Sequence, residues 1–256
     1  VTTIDRWVEA TLGARIRVHR YPPPSEQRPL SMPEAYAVQD RVREGLMARG
    51  ERVIGWKAGF TSKAAQEVFQ CHEPVSAFLL ESGAYANGAE VPTARFAQPV
   101  VEAEIALVLS RDLAGPGVTP LTALSAVEGA APALELVDFR YSGTPMGSDL
   151  VADGVYANAI VLGASLTAVR HLDLALEGLV YEHNGVMVAT NTAAEVMGSP
   201  VNSLAWIANT LGARGLGLKA GQVVMTGSVS KLVHPKVGDT VRATYTRLGS
   251  VSVRFV

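Results

Sequence analysis

The chain has 256 residues, 48% of them hydrophobic and 18% charged, which describes a folded protein with a sizeable core. Its formal charge is -2 and it has no lysine- or arginine-rich run, so neither nucleic acid nor an anionic membrane is an expected partner. The single cysteine, Cys71, excludes an internal disulfide and a cysteine-built metal site, and agrees with a reducing, cytoplasmic compartment.

Val1 to Val18 mixes Asp5, Arg6, Glu9 and Arg15 among apolar positions, a helix-like pattern without the unbroken apolar stretch of a signal peptide. Tyr21-Pro22-Pro23-Pro24 forces an extended break. A second helix is predicted from Ser31, with Pro33 and Glu34 in its first turn and Ala35, Val38, Val42 and Leu46 on one face; it ends near Gly50. From there short apolar runs bounded by turn residues read as strands: Arg52–Trp56, Val100–Leu109, Ala133–Val137, Ala157–Leu162, Leu179–His183, Val223–Thr226 and Thr240–Tyr245. Asn184-Gly185, between Leu179–His183 and Val186–Ala189, is a hairpin signal. One further helix is predicted over Pro200–Leu211. No stretch approaches the roughly 18 apolar residues of a membrane span. The reading is α+β, with a helical N-terminal region over 1–50 and a strand-rich body over 51–256.

The most informative string is Val101-Glu102-Ala103-Glu104-Ile105-Ala106-Leu107-Val108-Leu109. Side chains alternate along a strand, so Glu102 and Glu104 emerge on one face. Two like charges there repel and are costly to bury, a conflict that a hard divalent cation resolves through oxygen ligands. Glu135, in Pro132-Ala133-Leu134-Glu135-Leu136-Val137-Asp138, offers a third carboxylate in an apolar run. The alternative is the solvated face of an edge strand. The five histidines, His19, His72, His171, His183 and His234, show no metal-binding spacing. Cys71 and His72 are adjacent and would point apart on a strand, which counts against a nucleophile pair.

Six blocks, in order along nearly the whole chain, resemble the 2-keto-4-pentenoate hydratase and 4-oxalocrotonate decarboxylase group of the fumarylacetoacetate hydrolase superfamily. They are Gly55-Trp56-Lys57-Ala58-Gly59-Phe60-Thr61-Ser62, the Val101–Leu109 strand, Pro132–Asp138, Val151-Ala152-Asp153, Met225-Thr226-Gly227 and the ending Leu248–Val256. The resemblance implies a barrel-like mixed β-body and a Mg²⁺ or Mn²⁺ ion on Glu102, Glu104 and Glu135. It implies that Lys57 faces the substrate and that Asp153 is a pocket carboxylate near it. His72 and Glu73 are further acid/base candidates, and Ser76, Tyr156, Thr226 and Lys231 are candidates for substrate contact.

The implied partner is a small 2-oxo acid, and the implied enzyme a cytoplasmic homo-oligomer of aromatic meta-cleavage catabolism, with a pathway enzyme as a possible associate. The leading activity is a hydratase acting on a 2-hydroxy-dienoic or 2-oxo-enoic acid. Alternatives are a decarboxylase using the same electron sink and a non-catalytic subunit of such an enzyme. A carbon–carbon bond hydrolase would need a water-activating His–Glu pair that the sequence does not place. The chain departs from the group where V-A-D-N-A-S-S becomes Val151-Ala152-Asp153-Gly154-Val155-Tyr156-Ala157, where His72 replaces an acidic residue, and where Ser76-Ala77 replaces an aromatic-Gly pair. The metal core is expected intact, with part of the pocket rebuilt around Tyr156, His72 and Ser76.

Overall fold

The computed structural model describes residues 3–256. Val1 and Thr2, part of the first predicted helix, lie outside the described residues. Helix α1 spans Thr3–Arg17 and α2 spans Met32–Met47. Ser31 caps α2 reciprocally with Glu34: the Glu34 carboxylate accepts the Ser31 backbone N–H at 2.9 Å, while Ser31 Oγ accepts the Glu34 N–H.

Strand β1 (Val53–Gly59) is followed by the short helix α3 (Lys63–Val68), β2 (Val75–Leu80), β3 (Ala84–Ala86) and β4 (Ala89–Val91). Then come β5 (Pro99–Leu109), α4 (Pro120–Leu124), β6 (Val127–Asp138), α5 (Gly147–Asp153) and β7 (Ala159–Leu162). The chain closes with β8 (Gly178–His183), β9 (Val186–Thr192), α6 (Pro200–Ala213), β10 (Val223–Met225), β11 (Thr240–Tyr245) and β12 (Gly249–Phe255).

Seven strands form a mixed sheet in the order β2-β1-β10-β5-β6-β7-β3, and five form a second sheet, β4-β12-β11-β8-β9. The larger sheet curls into a half-barrel. Strand parity gives its two faces different jobs. Val101, Ala103, Ile105, Leu107 and Leu109 of β5 join the main core. The alternate residue Ala106 joins a smaller apolar plug with Ala133, Val223, Met225, Leu79 and Ile160, packed by Val108. Glu102 and Glu104 lie on that same, concave side. The N-terminal helices share the main core, with Trp7, Val38 and Val42 in one cluster with Trp56, Phe78 and Val151.

The predicted hairpin turn is observed. Asn184 and Gly185 both take left-handed φ, 53° and 74°, between paired His183 and Val186. Strand β6 is longer than the apolar run Ala133–Val137, because β5 pairs with it from Pro99↔Asp138 to Leu109↔Val127 and Gly129–Ala131 are carried along. Helix α5 went unpredicted because seven residues give too few turns for a helical period.

Candidate active site

Glu102 and Glu135 are directly opposed across the β5–β6 ladder, and Glu104 stands two residues along β5 on the same face. One carboxylate oxygen from each lies within 4.8 Å of the others. Lys57 comes from β1, separated from β6 by β10 and β5. Three inter-strand steps amount to about 14 Å on a flat sheet, yet Lys57 Nζ lies 2.8 Å from Glu135 Oε2. The curl of the sheet closes that distance and turns the strand faces into a bowl.

Lys57 is 2% exposed, Glu104 1% and Glu135 0%. Burial raises the Glu102 carboxyl to about 7, with Lys57 opposing the rise and Glu135 reinforcing it. Glu104 is raised well above the carboxylate range, by burial first and then by Glu135 and Glu102. Burial works against the Lys57 ammonium, but Glu135, followed by Glu102 and Glu104, holds its pKa above the ordinary value. Three carboxylates and one ammonium leave a formal charge of -2 when all are ionised, which one divalent cation balances.

The residues fit such a cation. Glu135 Oε1 is buried with no hydrogen-bond partner, and Oε2 has only the Lys57 ammonium, at 2.8 Å. An all-oxygen donor set suits a hard ion. Glu104 is held by the backbone N–H of Gly227, 2.8 Å from its Oε2. Gly227 has φ 121°, and a Cβ there would stand 2.5 Å from Thr61 Oγ1, so only glycine brings this amide to the carboxylate.

The bowl opens into a cavity of about 380 Å³ whose lining includes Lys57 and Glu102. Its wall is mainly apolar: Phe60, Ala65, Phe69, Val137, Phe139, Leu150, Val155, Tyr156 and Leu232. Two aromatic pairs stiffen it, Phe60 with Phe69 and Phe139 with Tyr156, each with ring centroids 4.9 Å apart. Polar groups are contributed by Thr61, Ser62, Asn191, Glu195, Ser228, Ser230 and Lys231.

The structure thus brings together Glu102, Glu104, Glu135, Lys57, Tyr156 and Lys231, with Lys231 exposed. The other sequence candidates stand elsewhere. Asp153, expected as a pocket carboxylate near the substrate, is fully buried, ion-paired with Arg140, and absent from the cavity wall. His72 and Glu73 are exposed and do not line the cavity. Ser76 is sealed on β2, its backbone bonded to Tyr36 and Gln39 of α2. Thr226 Oγ1 donates to the Ile105 carbonyl at 2.8 Å, so the neighbouring Gly227 amide serves the site instead. Sequence reasoning missed Phe69, Leu150, Asn191 and Glu195, which carry no local signal. It also missed the Val155 carbonyl, which accepts a hydrogen bond from Lys57 Nζ at 3.1 Å.

The family described as fumarylacetoacetate (FAA) hydrolase C-terminal matches residues 54–256. A 2-hydroxyhexa-2,4-dienoate hydratase of Comamonas testosteroni is 38% identical over 229 residues, covering 88% of this chain and 87% of that protein. A 4-oxalocrotonate decarboxylase of a Pseudomonas strain is 34% identical over 246 residues, covering 95% and 93%. A solved 4-oxalocrotonate decarboxylase from Pseudomonas putida, complexed with magnesium and adipate, superposes with a TM-score of 0.96 at 30% identity, covering 100% of this chain and 99% of that one.

Proposed function

Because the chain belongs to the fumarylacetoacetate hydrolase C-terminal family, we propose that it is a divalent-metal-dependent lyase that hydrates a 2-hydroxy-dienoic acid through its 2-oxo-enoic form. The carrying observation is the trio Glu102, Glu104 and Glu135 beside the buried Lys57, with Glu102 and Lys57 reaching the wall of a largely apolar cavity. Mg²⁺ or Mn²⁺ on the three carboxylates would act as a Lewis acid toward the 2-oxygen and one carboxylate oxygen of a 2-oxo acid.

The chain's own residues supply the rest. Ketonisation removes the proton of the 2-hydroxyl and adds one at C5; water then adds at C4 and a proton at C3. Lys57, kept as an ammonium by Glu135, is the group placed to hold and move these protons. Phe60, Phe69, Phe139, Leu150 and Tyr156 exclude bulk water and accept the tail of the substrate.

Decarboxylation is the second reading, favoured by the structural likeness to the Pseudomonas putida decarboxylase. 4-Oxalocrotonate carries a second, distal carboxylate, the group that decarboxylation would release as CO₂. Among the described residues lining the cavity, the only cations are Lys57, already engaged by Glu135, and the exposed Lys231. The apolar wall favours an extended, apolar-tailed dienoate. Exposed Val186 and Met187 on β9, at the edge of the smaller sheet, are consistent with homo-oligomeric assembly.

The test follows the ultraviolet absorbance of 2-hydroxypenta-2,4-dienoate, 5-alkyl analogues and 4-oxalocrotonate with Mg²⁺, and weighs the products. Gain of water is expected, with an alkyl-tailed dienoate preferred over the unsubstituted acid by ~10–200-fold in kcat/KM. Faster loss of CO₂ from 4-oxalocrotonate would replace this reading with the decarboxylase. A clear preference for the unsubstituted acid would refute the apolar-tail assignment.

A further inference from the structure

We propose that the buried Arg140–Asp153 ion pair is a clamp on a left-handed turn whose carbonyl positions Lys57. Asp153 then acts as a positioning residue and not as a proton-transfer group. The assignment of Lys57 as the proton carrier rests on the function proposed above; the clamp rests on geometry alone.

Three consecutive residues after α5 take left-handed φ: Gly154 at 82°, Val155 at 53° and Tyr156 at 58°. Glycine adopts this conformation freely, but a β-branched valine and a tyrosine do so only when their surroundings impose it. The imposing groups are visible. Arg140 Nε and Nη2 donate to Asp153 Oδ1 and Oδ2 at 2.9 and 2.6 Å, a two-pronged contact with both residues almost fully buried. Asp153 Oδ2 accepts the Tyr156 N–H at 3.2 Å, and Arg140 Nη2 also reaches the Ala157 carbonyl at 3.3 Å. The pair therefore grips the turn on both sides of Val155.

The grip is tied to the rest of the molecule. Tyr21 donates to Asp153 Oδ1 at 3.3 Å, and Arg15 of α1 reaches the Asp153 carbonyl. On the side of the site, the Asp138 N–H of β6 donates to the Tyr156 carbonyl at 3.0 Å. The turn is thus registered against the strand that carries Glu135.

The turn delivers two things to the cavity. Its Val155 carbonyl accepts from Lys57 Nζ at 3.1 Å, beside the Glu135 contact at 2.8 Å, and its Tyr156 ring lines the wall. Gly59 of β1 lets the turn come this close, since a Cβ there would stand 2.6 Å from Val155 Cγ1. With two acceptors fixed, the ammonium has one place to sit.

The experiment compares Asp153→Asn and Arg140→Lys with the unaltered protein by kcat, KM, Mg²⁺ affinity and crystal structure. Asparagine cannot accept both guanidinium prongs, and lysine cannot supply them. Expected is a fall in kcat of ~10²-fold, the effect of a small misplacement of a reacting group, with Mg²⁺ affinity nearly unchanged. The crystals should show residues 154–156 out of the left-handed region and Val155 withdrawn from Lys57. Asp153→Asn with the turn and the Lys57 contact intact but kcat lost would overturn the clamp and make Asp153 a direct participant. Unchanged kcat in both variants, with the turn displaced, would also overturn it. If Asp153→Asn does not fold, Arg140→Lys decides by the same readings. If the unaltered protein has no lyase activity, the functional reading fails, and the crystal structures still judge the clamp.

Discussion

Glu135→Gln will remove the rise in melting temperature that Mg²⁺ gives the unaltered protein, and catalysis with it. At ~100 times its dissociation constant a ligand stabilises the folded state by ~2.7 kcal/mol, which for a chain of this size is a rise of ~5–10 °C. Glutamine keeps the shape of Glu135 but gives up the carboxylate, of whose oxygens Oε1 has no hydrogen-bond partner and Oε2 has only Lys57. Removing a direct ligand should weaken Mg²⁺ by more than the ~10–100-fold typical of outer-shell partners.

In the metal-free protein two changes oppose one another. Lys57 loses its contact at 2.8 Å, while Glu102 and Glu104 lose a like-charged neighbour. The metal-free melting temperature should therefore move little, so that the missing Mg²⁺ response reports the site and not general damage. A variant that kept the full Mg²⁺ response would show that Glu135 is no ligand.

Lys57→Met should separate metal binding from chemistry. Methionine fills much of the same buried volume without the charge, so the nearby carboxylates lose a cationic neighbour and Mg²⁺ should bind at least as tightly as before. kcat should fall by ~10²–10⁴, the range for a positioned proton-transfer group. Lys57→Arg should not restore it, because a planar guanidinium cannot occupy the point between Glu135 Oε2 and the Val155 carbonyl. Titration calorimetry with Mg²⁺ beside steady-state kinetics checks both halves. Metal affinity and kcat falling together would mean that Lys57 supports the cation site and not the reaction.

Much of this site was legible because it is built from local strand patterns. Glu102 and Glu104 alternate with apolar residues on β5, and parity alone puts them on one face. The likeness of the Lys57 and Glu135 segments to known motifs joined strands that pairing then brings together. The Asn184-Gly185 turn and the capped α2 helix were likewise legible from short-range chemistry.

What could not be read depends on which side of an element is hollow. Asp153 sits at the end of a seven-residue helix, and nothing near it in sequence shows that it faces Arg140 and not the cavity. Ser76 lies on a strand packed beneath α2, so its hydroxyl is sealed from any substrate. His72 and Glu73 precede that strand and stay in solvent. Thr226 is spent on a carbonyl of β5, and the glycine amide beside it bonds the Glu104 carboxylate. Phe69, Leu150, Asn191 and Glu195 meet at the cavity only through tertiary packing.

The central claim is that three carboxylates on two strands hold one divalent cation beside Lys57. Crystals soaked in Mn²⁺ and measured for its anomalous scattering test this most directly. The account predicts a single strong peak at bonding distance, ~2.0–2.6 Å for oxygen ligands of hard divalent cations, from one oxygen each of Glu102, Glu104 and Glu135. A fully soaked crystal with no peak there, or with the three carboxylates turned apart, would contradict it.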